Sequence, residues 1–386
     1  SFDGALQPLG HSQVVRLLVL LARAGHRYSL VTLERAADLA AAERVNALRG
    51  QLTSAGITWR YGTYHEGATG AARNLAQLSQ LAERALREDS IGLVHARGYQ
   101  PAVVARWLRA RHGLPYIFDF RGLWIDERLE EGRWFTNRAA LAVARRVERT
   151  LFQDAAAVVS LAEPGADLLR SGALTGSPYC GPLVVIPTSV DFDAFTLPGD
   201  AGRAEGPEPL REWAGEDLLL GWVGSLNRWY DTDASMDLVR RVIDKRPAAK
   251  LLVLSQQRDA MQALLEKHHL TQHSLIFQVS HDEMPGWVRH LDWGLQLMGT
   301  SRAKAASMPT KFAEFIASGV RPVHHGCNVE VGSWVTACAT GINLPDLTGV
   351  TLDACAEKVT SSRIERSALV SGRTALMEHF SIHTAA

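Results

Sequence analysis

Short apolar runs alternate with longer stretches of helical period, and the alternation occurs twice along the chain. This rhythm constrains the fold more than any other feature. A strand that is apolar on both faces must be covered on both, and a helix after each strand supplies the cover. In the first half, Tyr28–Leu33, Ile57–Tyr61, Gly92–His95, Tyr116–Phe120, Ala156–Leu161 and Leu183–Pro187 read as strands. Helices are predicted over 14–22, closed by Gly25, and over Thr69–Glu88, Pro101–Arg111 and Trp134–Phe152. The pattern then breaks at 196–208 (TLPGDAGRAEGPE), where Gly, Pro and charge replace apolar periodicity.

After the break the rhythm restarts. Strands are predicted at Leu218–Val223, Lys250–Leu254, Leu275–Val279, Trp293–Met298 and Val320–His324. Helices are predicted at Ala234–Ile243, Asp259–Lys267, Asp282–His290, Pro309–Ala317, Ala354–Val359 and Arg366–His379. No repeat of solenoid or propeller period is present. The predicted class is therefore α/β: two Rossmann-like, doubly wound parallel-sheet domains facing a cleft. The expected division is 1–195, a linker at 196–212, and 213–386. Ligands in such sheets bind at the carboxyl ends of the strands, so the cleft is the expected site.

Composition removes several classes. Lys+Arg and Asp+Glu are both 41, and a zero balance argues against a dedicated nucleic-acid-binding domain. The longest apolar run, within 14–24, is broken by Arg16 and Arg23 and falls short of the roughly 20 residues of a bilayer span. Arginines cluster on two predicted helices, at Arg106, Arg109 and Arg111 and at Arg145, Arg146 and Arg149. The plain reading is two solvated faces, and contact with anionic lipid stays open. Cys180, Cys327, Cys338 and Cys355 form no CxxC pair and have no His at zinc spacing, which suits reduced thiols. The first residues show no signal-peptide pattern. These features set the expectation of a cytoplasmic protein, with peripheral contact at the inner membrane face open.

Three segments carry chemistry. The first is Gly221-Trp-Val-Gly-Ser-Leu226, a strand end where Gly224 permits close backbone approach and Ser225 can donate to a phosphate. The three-glycine dinucleotide fingerprint is absent, which disfavours a nicotinamide dehydrogenase. A plain tight turn is the competing reading. The second runs from Lys304 to Gly319. Pro309 is expected in the first helical turn, so the helix would start near Ser307–Met308 with free N–H groups and a positive dipole end suited to a diphosphate. Only six of the 41 basic residues are lysines, and two of them, Lys304 and Lys311, flank this point. Glu314 lies one turn after Lys311, placed to accept ribose hydroxyls or merely to pair with Lys311.

The third segment is Phe118-Asp119-Phe120-Arg121-Gly122-Leu123-Trp124-Ile125-Asp126-Glu127-Arg128, read as a charged loop after a strand end. It has the groups to recognise a hydroxyl-rich molecule, or to form a salt-bridge knot. Asp191-Phe-Asp193 and Asp231-Thr-Asp233 match the short DxD metal pattern but read better as turn or cap aspartates. His95 ends a strand, as do His324 and His325, with no third ligand at metal spacing.

Taken in order, these segments resemble the GT-B glycosyltransferases, specifically the retaining family 4 group, over nearly the whole chain. Gly10-His11-Ser12-Gln13 is similar to the family's acceptor-side loop, and Val94-His95-Ala96-Arg97 to its strand ending in His-Ala. Val185-Ile-Pro-Thr-Ser-Val-Asp191 resembles the segment before its linker, and Val223-Gly224-Ser225-Leu226 its phosphate turn. Pro309-Thr310-Lys311-Phe-Ala-Glu314-Phe-Ile-Ala-Ser-Gly319 resembles its nucleotide-sugar helix and is the most specific match. Many members carry a first glutamate eight positions before the second, and Ala306 stands there. Many place a His where Arg121 follows the strand, and the Asp-x-Arg-Gly-x-Trp-x-Asp-Glu-Arg subgroup is closest. By the same resemblance the chain is short at both ends. Ser1 falls where the first strand should already have finished, and Phe380–Ala386 stops inside the last helix.

The resemblance implies a retaining transferase of the EC 2.4 class, using a nucleotide-diphosphate sugar and neither metal nor bound cofactor. It implies donor binding by Gly224, Ser225, Ser280, Ser307, Pro309, Thr310 and Glu314, with Lys304, Lys311, Asp119 and Arg121 at the chemistry. The acceptor side would be Gly10, His11, Gln13, His95, Trp124, Asp126, Glu127 and Arg128. Partners would be the donor and a carbohydrate, lipid-linked or small-molecule acceptor, with no nucleic acid. The expected setting is polysaccharide or glycoconjugate synthesis. Arg-heavy, Lys-poor usage suggests a bacterial source of high GC content. Two alternatives stay in view: a non-catalytic relative that has kept the fold, favoured by Ala306 and Arg121, and a sugar-nucleotide epimerase.

Overall fold

The computed structural model describes residues 1–132, 137–199, 202–337, 341–362 and 366–386. It divides into two compact units, Ser1–Pro187 with Ala385–Ala386, and Thr188–Thr384. The division falls after Pro187, ahead of the expected break. The expected linker belongs to the second unit and is partly helical, at Gly202–Glu205 and Glu208–Ala214. Arg203 explains why: its guanidinium donates to the His290 carbonyl at 2.9 Å and to Asp292 at 2.5 Å, so tertiary contacts order a stretch without apolar periodicity.

In the first unit the strands are β1 (Ser29–Glu34), β2 (Thr58–Thr63), β3 (Val94–Arg97), β4 (Tyr116–Phe120), β5 (Ala157–Ser160) and β6 (Leu183–Val185). All pairings are parallel. They form two sheets, β1-β2 and β3-β4-β5-β6, and β1 does not pair with β3. In the second unit, β7 (Leu219–Val223), β8 (Lys250–Leu254), β9 (Ser274–Phe277), β10 (Trp293–Leu297), β11 (Arg321–His325) and β12 (Ile342–Asn343) form one parallel sheet in the order β12-β11-β10-β7-β8-β9. Its central strands are buried along their whole length, and apolar clusters built around Trp222 and around Phe315 cover its faces. These are the apolar runs of the sequence, with β12 added, a two-residue strand too short to carry a period.

Several helices were not visible in the period. Ala42–Ser54 buries only Val45, Leu48 and Leu52 beneath a polar surface, and Glu163–Arg170 and Val329–Ala337 are short. The predicted Trp134–Phe152 helix runs from Arg138 to Gln153, capped by Asn137, and its expected start at Trp134 lies outside the described residues. The helical stretch after Pro8 contains a π turn at His11–Val15, a feature found often at functional sites. No described helix is long and apolar enough to cross a membrane.

Candidate functional site

The second unit gathers its chemistry at the carboxyl end of β7. Gly224 closes the strand, its N–H donating to the Leu254 carbonyl at 2.8 Å, and then turns at φ +118°. A β-carbon there would lie 2.5 Å from the Lys311 ammonium, so glycine admits the lysine to the turn. Lys311 donates to the Tyr230 hydroxyl at 2.9 Å and lies 4.4 Å from the centre of that ring. Tyr230 is held in turn by an edge-to-face contact with Trp222. Lys304 approaches Gly299, where a β-carbon would come within 2.6 Å of its ammonium.

Glu314, one turn after Lys311, is buried. Burial pushes its carboxyl up to about 7, against the pull of Lys311. A carboxyl held so near neutrality responds to hydroxyl donors, since each donated bond favours its ionised form.

The helix begins later than its sequence implies. Pro309, with ψ 124°, is the N-cap and Thr310–Ala317 is helical. The Ser307 N–H is spent on the Lys304 carbonyl at 3.1 Å, and the Ser307 hydroxyl on the same atom at 2.7 Å. Thr188 holds the Met308 carbonyl at 2.9 Å. Ser307 is therefore a framework residue, and the first turn of the helix starts at Thr310 and Lys311. Ser280 differs from expectation in the same way: its N–H and hydroxyl both go to Glu283, at 2.9 and 2.6 Å, a local cap. The Ser225 hydroxyl accepts from Asn227 at 3.2 Å.

In the first unit the charged residues meet at the ends of β3 and β4. Asp119 is buried and takes Arg97 at 3.2 Å, Arg121 at 3.3 Å and His95 at 3.7 Å. Burial alone would raise its carboxyl, but Arg121, His95 and Arg97 outweigh it and hold the group far below the usual carboxylate range. Burial beside Arg97 pushes the Arg121 guanidinium down to about 10. Arg97 also binds Asp3 at 3.0 Å. Gly10 packs against the Gly4 carbonyl, and Gln13 lines the same cavity as His95 and Asp119.

The Asp119–Arg128 segment is only partly a loop, since Trp124–Glu130 is helical with Asp126 and Glu127 in its first turn, where acidic residues favour a helix start. Asp126 turns inward to Arg145 at 2.8 Å. Arg145 binds Glu148 at 2.8 Å, and Glu148 accepts from Tyr99 at 2.7 Å. Arg128 closes on Glu131 at 2.6 and 2.7 Å and lies over the Trp124 ring. Asp126 and Arg128 thus belong to the salt-bridge knot, the alternative weighed for this segment. Glu127 stays beside Gly122, and burial, with neighbouring acids, pushes it up to about 7.

Neither DxD pair is arranged as a metal site. Asp191 caps the Asp193 and Ala194 N–H groups at 3.0 and 3.2 Å, Asp231 caps Ala234 at 3.0 Å, and Asp233 binds Lys267 and His268. Among the described residues no cluster of three His, Cys, Asp or Glu is placed to hold a metal ion. Cys180, Cys327 and Cys355 are unpaired thiols, and Cys338 lies outside the described residues.

Sequence reasoning missed Tyr230, Arg97 and Glu34. Glu34 is buried and accepts the Ala5 and Leu6 N–H groups at 2.7 and 3.1 Å, pinning the turn that leads to Gly10. A charged residue closing an apolar strand was the one available signal.

Residues 10–178 match the family model of the glycosyl transferase 4-like domain. No curated protein matches the chain. Among solved structures, sucrose-phosphate synthase from Thermosynechococcus elongatus is 13% identical with a TM-score of 0.66, covering 93% of this chain and 96% of that one. HepE of Anabaena, in complex with UDP and glucose, is 14% identical with a TM-score of 0.67, covering 100% and 95%. WaaG, a glycosyltransferase involved in lipopolysaccharide biosynthesis, is 13% identical with a TM-score of 0.61, covering 100% and 94%. Residues 10–178 are thus similar to the glycosyl transferase 4-like domain, and the chain as a whole has the GT-B fold its sequence resembles.

Proposed function

We propose that the chain is a glycosyltransferase that moves a sugar from a nucleotide-diphosphate sugar to an acceptor hydroxyl with retention of configuration. The observation that carries this reading is the Lys311 ammonium held in the Gly224 turn, with the buried Glu314 one helical turn away. That arrangement offers a cation and helix N–H groups to a diphosphate and a carboxylate to a ribose. HepE, a structural neighbour, is described with UDP and with UDP-glucose, which supports a donor of this class.

In this mechanism Lys304, Lys311 and the N–H groups at Thr310 stabilise the leaving diphosphate. The acceptor hydroxyl attacks the anomeric carbon from the face the diphosphate leaves, the C–O bond to the diphosphate breaks, and the hydroxyl proton passes to the departing phosphate oxygen. No protein nucleophile takes part. His95, Asp119 and Arg121 would orient the acceptor on the first unit, and charge neutralisation falls to side chains and backbone rather than to a metal.

The test is a panel of UDP-, GDP- and dTDP-sugars, scored for binding by calorimetry and then for slow release of free nucleotide, with and without a chelator. Binding, followed by chelator-insensitive release, is expected. Binding of no member would overturn the reading in favour of a non-catalytic relative. Inverted sugar without nucleotide release would identify an epimerase instead.

A further inference from the structure

The carboxyl end of β4 holds more hydrogen-bond donors than its own residues use. Arg97 donates to the Asp119 Oδ2 at 3.2 Å and to Asp3 at 3.0 Å, so that guanidinium has a carboxylate on either side. Arg121 reaches the other Asp119 oxygen, Oδ1, through Nη1 alone at 3.3 Å. Among the described residues nothing accepts from its Nε or Nη2. Arg145, a structural arginine of the same unit, spends its fork fully, with Nη1 on Glu148 and Nη2 on Asp126. Asp119 already has Arg97, so neutralising that carboxylate does not account for Arg121.

The turn after Arg121 is underspent too. Gly122 has a φ of +140°, which favours glycine, and both Gly122 and Leu123 are buried. No described residue accepts from the N–H of either. Buried peptide N–H groups are almost always paired, so two consecutive unpaired ones mark a place that another molecule completes. Glu127 stands beside Gly122 and has no described hydrogen-bond partner.

The free edge of a guanidinium and two peptide N–H groups together call for several acceptor oxygens and a negative charge. A neutral hydroxyl brings a single oxygen and no charge. A carboxylate or a phosphate brings several oxygens and fits the Nε–Nη2 edge in a bidentate manner. The Glu127 carboxyl is left to accept from a hydroxyl beside that acidic group.

We propose that Arg121, with the Gly122 and Leu123 N–H groups, binds the carboxylate or phosphate of an acidic sugar, and that this sugar is the acceptor. That the sugar is the acceptor rests on the transferase reading; that it binds here does not.

The experiment titrates the intact chain with glucuronate, glucose 6-phosphate and glucose, without a donor, by calorimetry and amide hydrogen exchange. One of the two acids should bind about ten-fold or more tighter than glucose, and the tighter one identifies a carboxylate or a phosphate. At ten times its dissociation constant it should slow exchange at Gly122 and Leu123 about ten-fold. Arg121→Gln should weaken it by about ten- to hundred-fold, and Arg121→Lys, which keeps the charge but not the fork, by less. Thermal unfolding checks that both variants fold, and the comparison with glucose needs no variant. Lys311→Met should leave the protection at Gly122 and Leu123 intact, which separates this site from the proposed donor site. Glucose binding as tightly as its acids, full affinity in folded Arg121→Gln, or protection lost in Lys311→Met would overturn the proposal. Adding the acid to chain with nucleotide sugar bound should raise nucleotide release, and no rise would overturn the acceptor role. Acid binding without any nucleotide-sugar binding would uphold the anion site and overturn the transferase reading alone.

Discussion

The Lys311 ammonium is fixed by a single aromatic residue, Tyr230, through a 2.9 Å hydrogen bond to its hydroxyl and a 4.4 Å approach to its ring. Both interactions are present before any ligand arrives, so the cation is preorganised at the Gly224 turn. Tyr230→Phe keeps the ring and removes the hydroxyl. Nucleoside diphosphate affinity should fall by about three- to ten-fold, the scale of one hydrogen bond, with little change in melting temperature. Calorimetric titration with UDP and GDP measures it.

Gly224→Ala tests the turn from the other side. The φ of +118° disfavours any side chain, and the new methyl would occupy the space of the Lys311 ammonium. A cost of about 1–3 kcal/mol in urea unfolding is expected, together with a loss of nucleotide binding larger than that of Tyr230→Phe. Normal binding in a folded variant would remove Gly224 from the proposed donor site.

Glu314 predicts a pH dependence. Its carboxyl rises in the folded protein from an ordinary 4.5 to about 7 because it is buried. The folded state therefore holds this proton more tightly than the unfolded one. The group favours folding most in acid, and its contribution declines as pH rises from about 4.5 through about 7. Glu314→Gln should be neutral near pH 4 and stabilise the ligand-free protein by about 2–3 kcal/mol at pH 8. The same variant should bind nucleotide sugar more weakly. Stability curves that stay parallel across pH would contradict the assignment.

Asp119 behaves oppositely. Its carboxyl is held far below its ordinary value of 3.8 by Arg121, His95 and Arg97, so its contribution is complete above that value and disappears as pH falls below it. Asp119→Ala leaves the half-buried Arg97 and Arg121 guanidiniums without their shared buried carboxylate and should cost about 3–5 kcal/mol at neutral pH. Denaturant curves at pH 7 and pH 3 should show the gap between variant and wild type narrowing in acid.

The Tyr99–Glu148–Arg145–Asp126 chain is structural. Glu148→Gln should lower stability by roughly 1–3 kcal/mol, the cost of weakening a buried charged hydrogen bond, and leave donor binding unchanged. A shift in nucleotide affinity would place this network in function.

The two-fold strand–helix rhythm and the DxD pairs as cap aspartates were legible because each depends on spacing along one stretch of chain. Period, cap residues and turn glycines act over a few residues. The start of the Thr310–Ala317 helix was not legible. Ser307 and Met308 are held by Lys304 and, across 120 residues, by Thr188, contacts that no local rule contains. The inward turn of Asp126 to Arg145, nineteen residues on, escaped for the same reason.

By itself the sequence determined the α/β class, the order of strands and helices, and which residue types stand at the strand ends, since apolar period and backbone chemistry are local properties. Tertiary structure decided the rest. It selected Tyr230 as the partner of Lys311, made Asp119 the centre of three cationic or imidazole contacts, and buried Glu314 enough to move its proton. Charge state and hydrogen-bond partner depend on what lies within a few ångströms, and the fold brings those neighbours from distant parts of the chain.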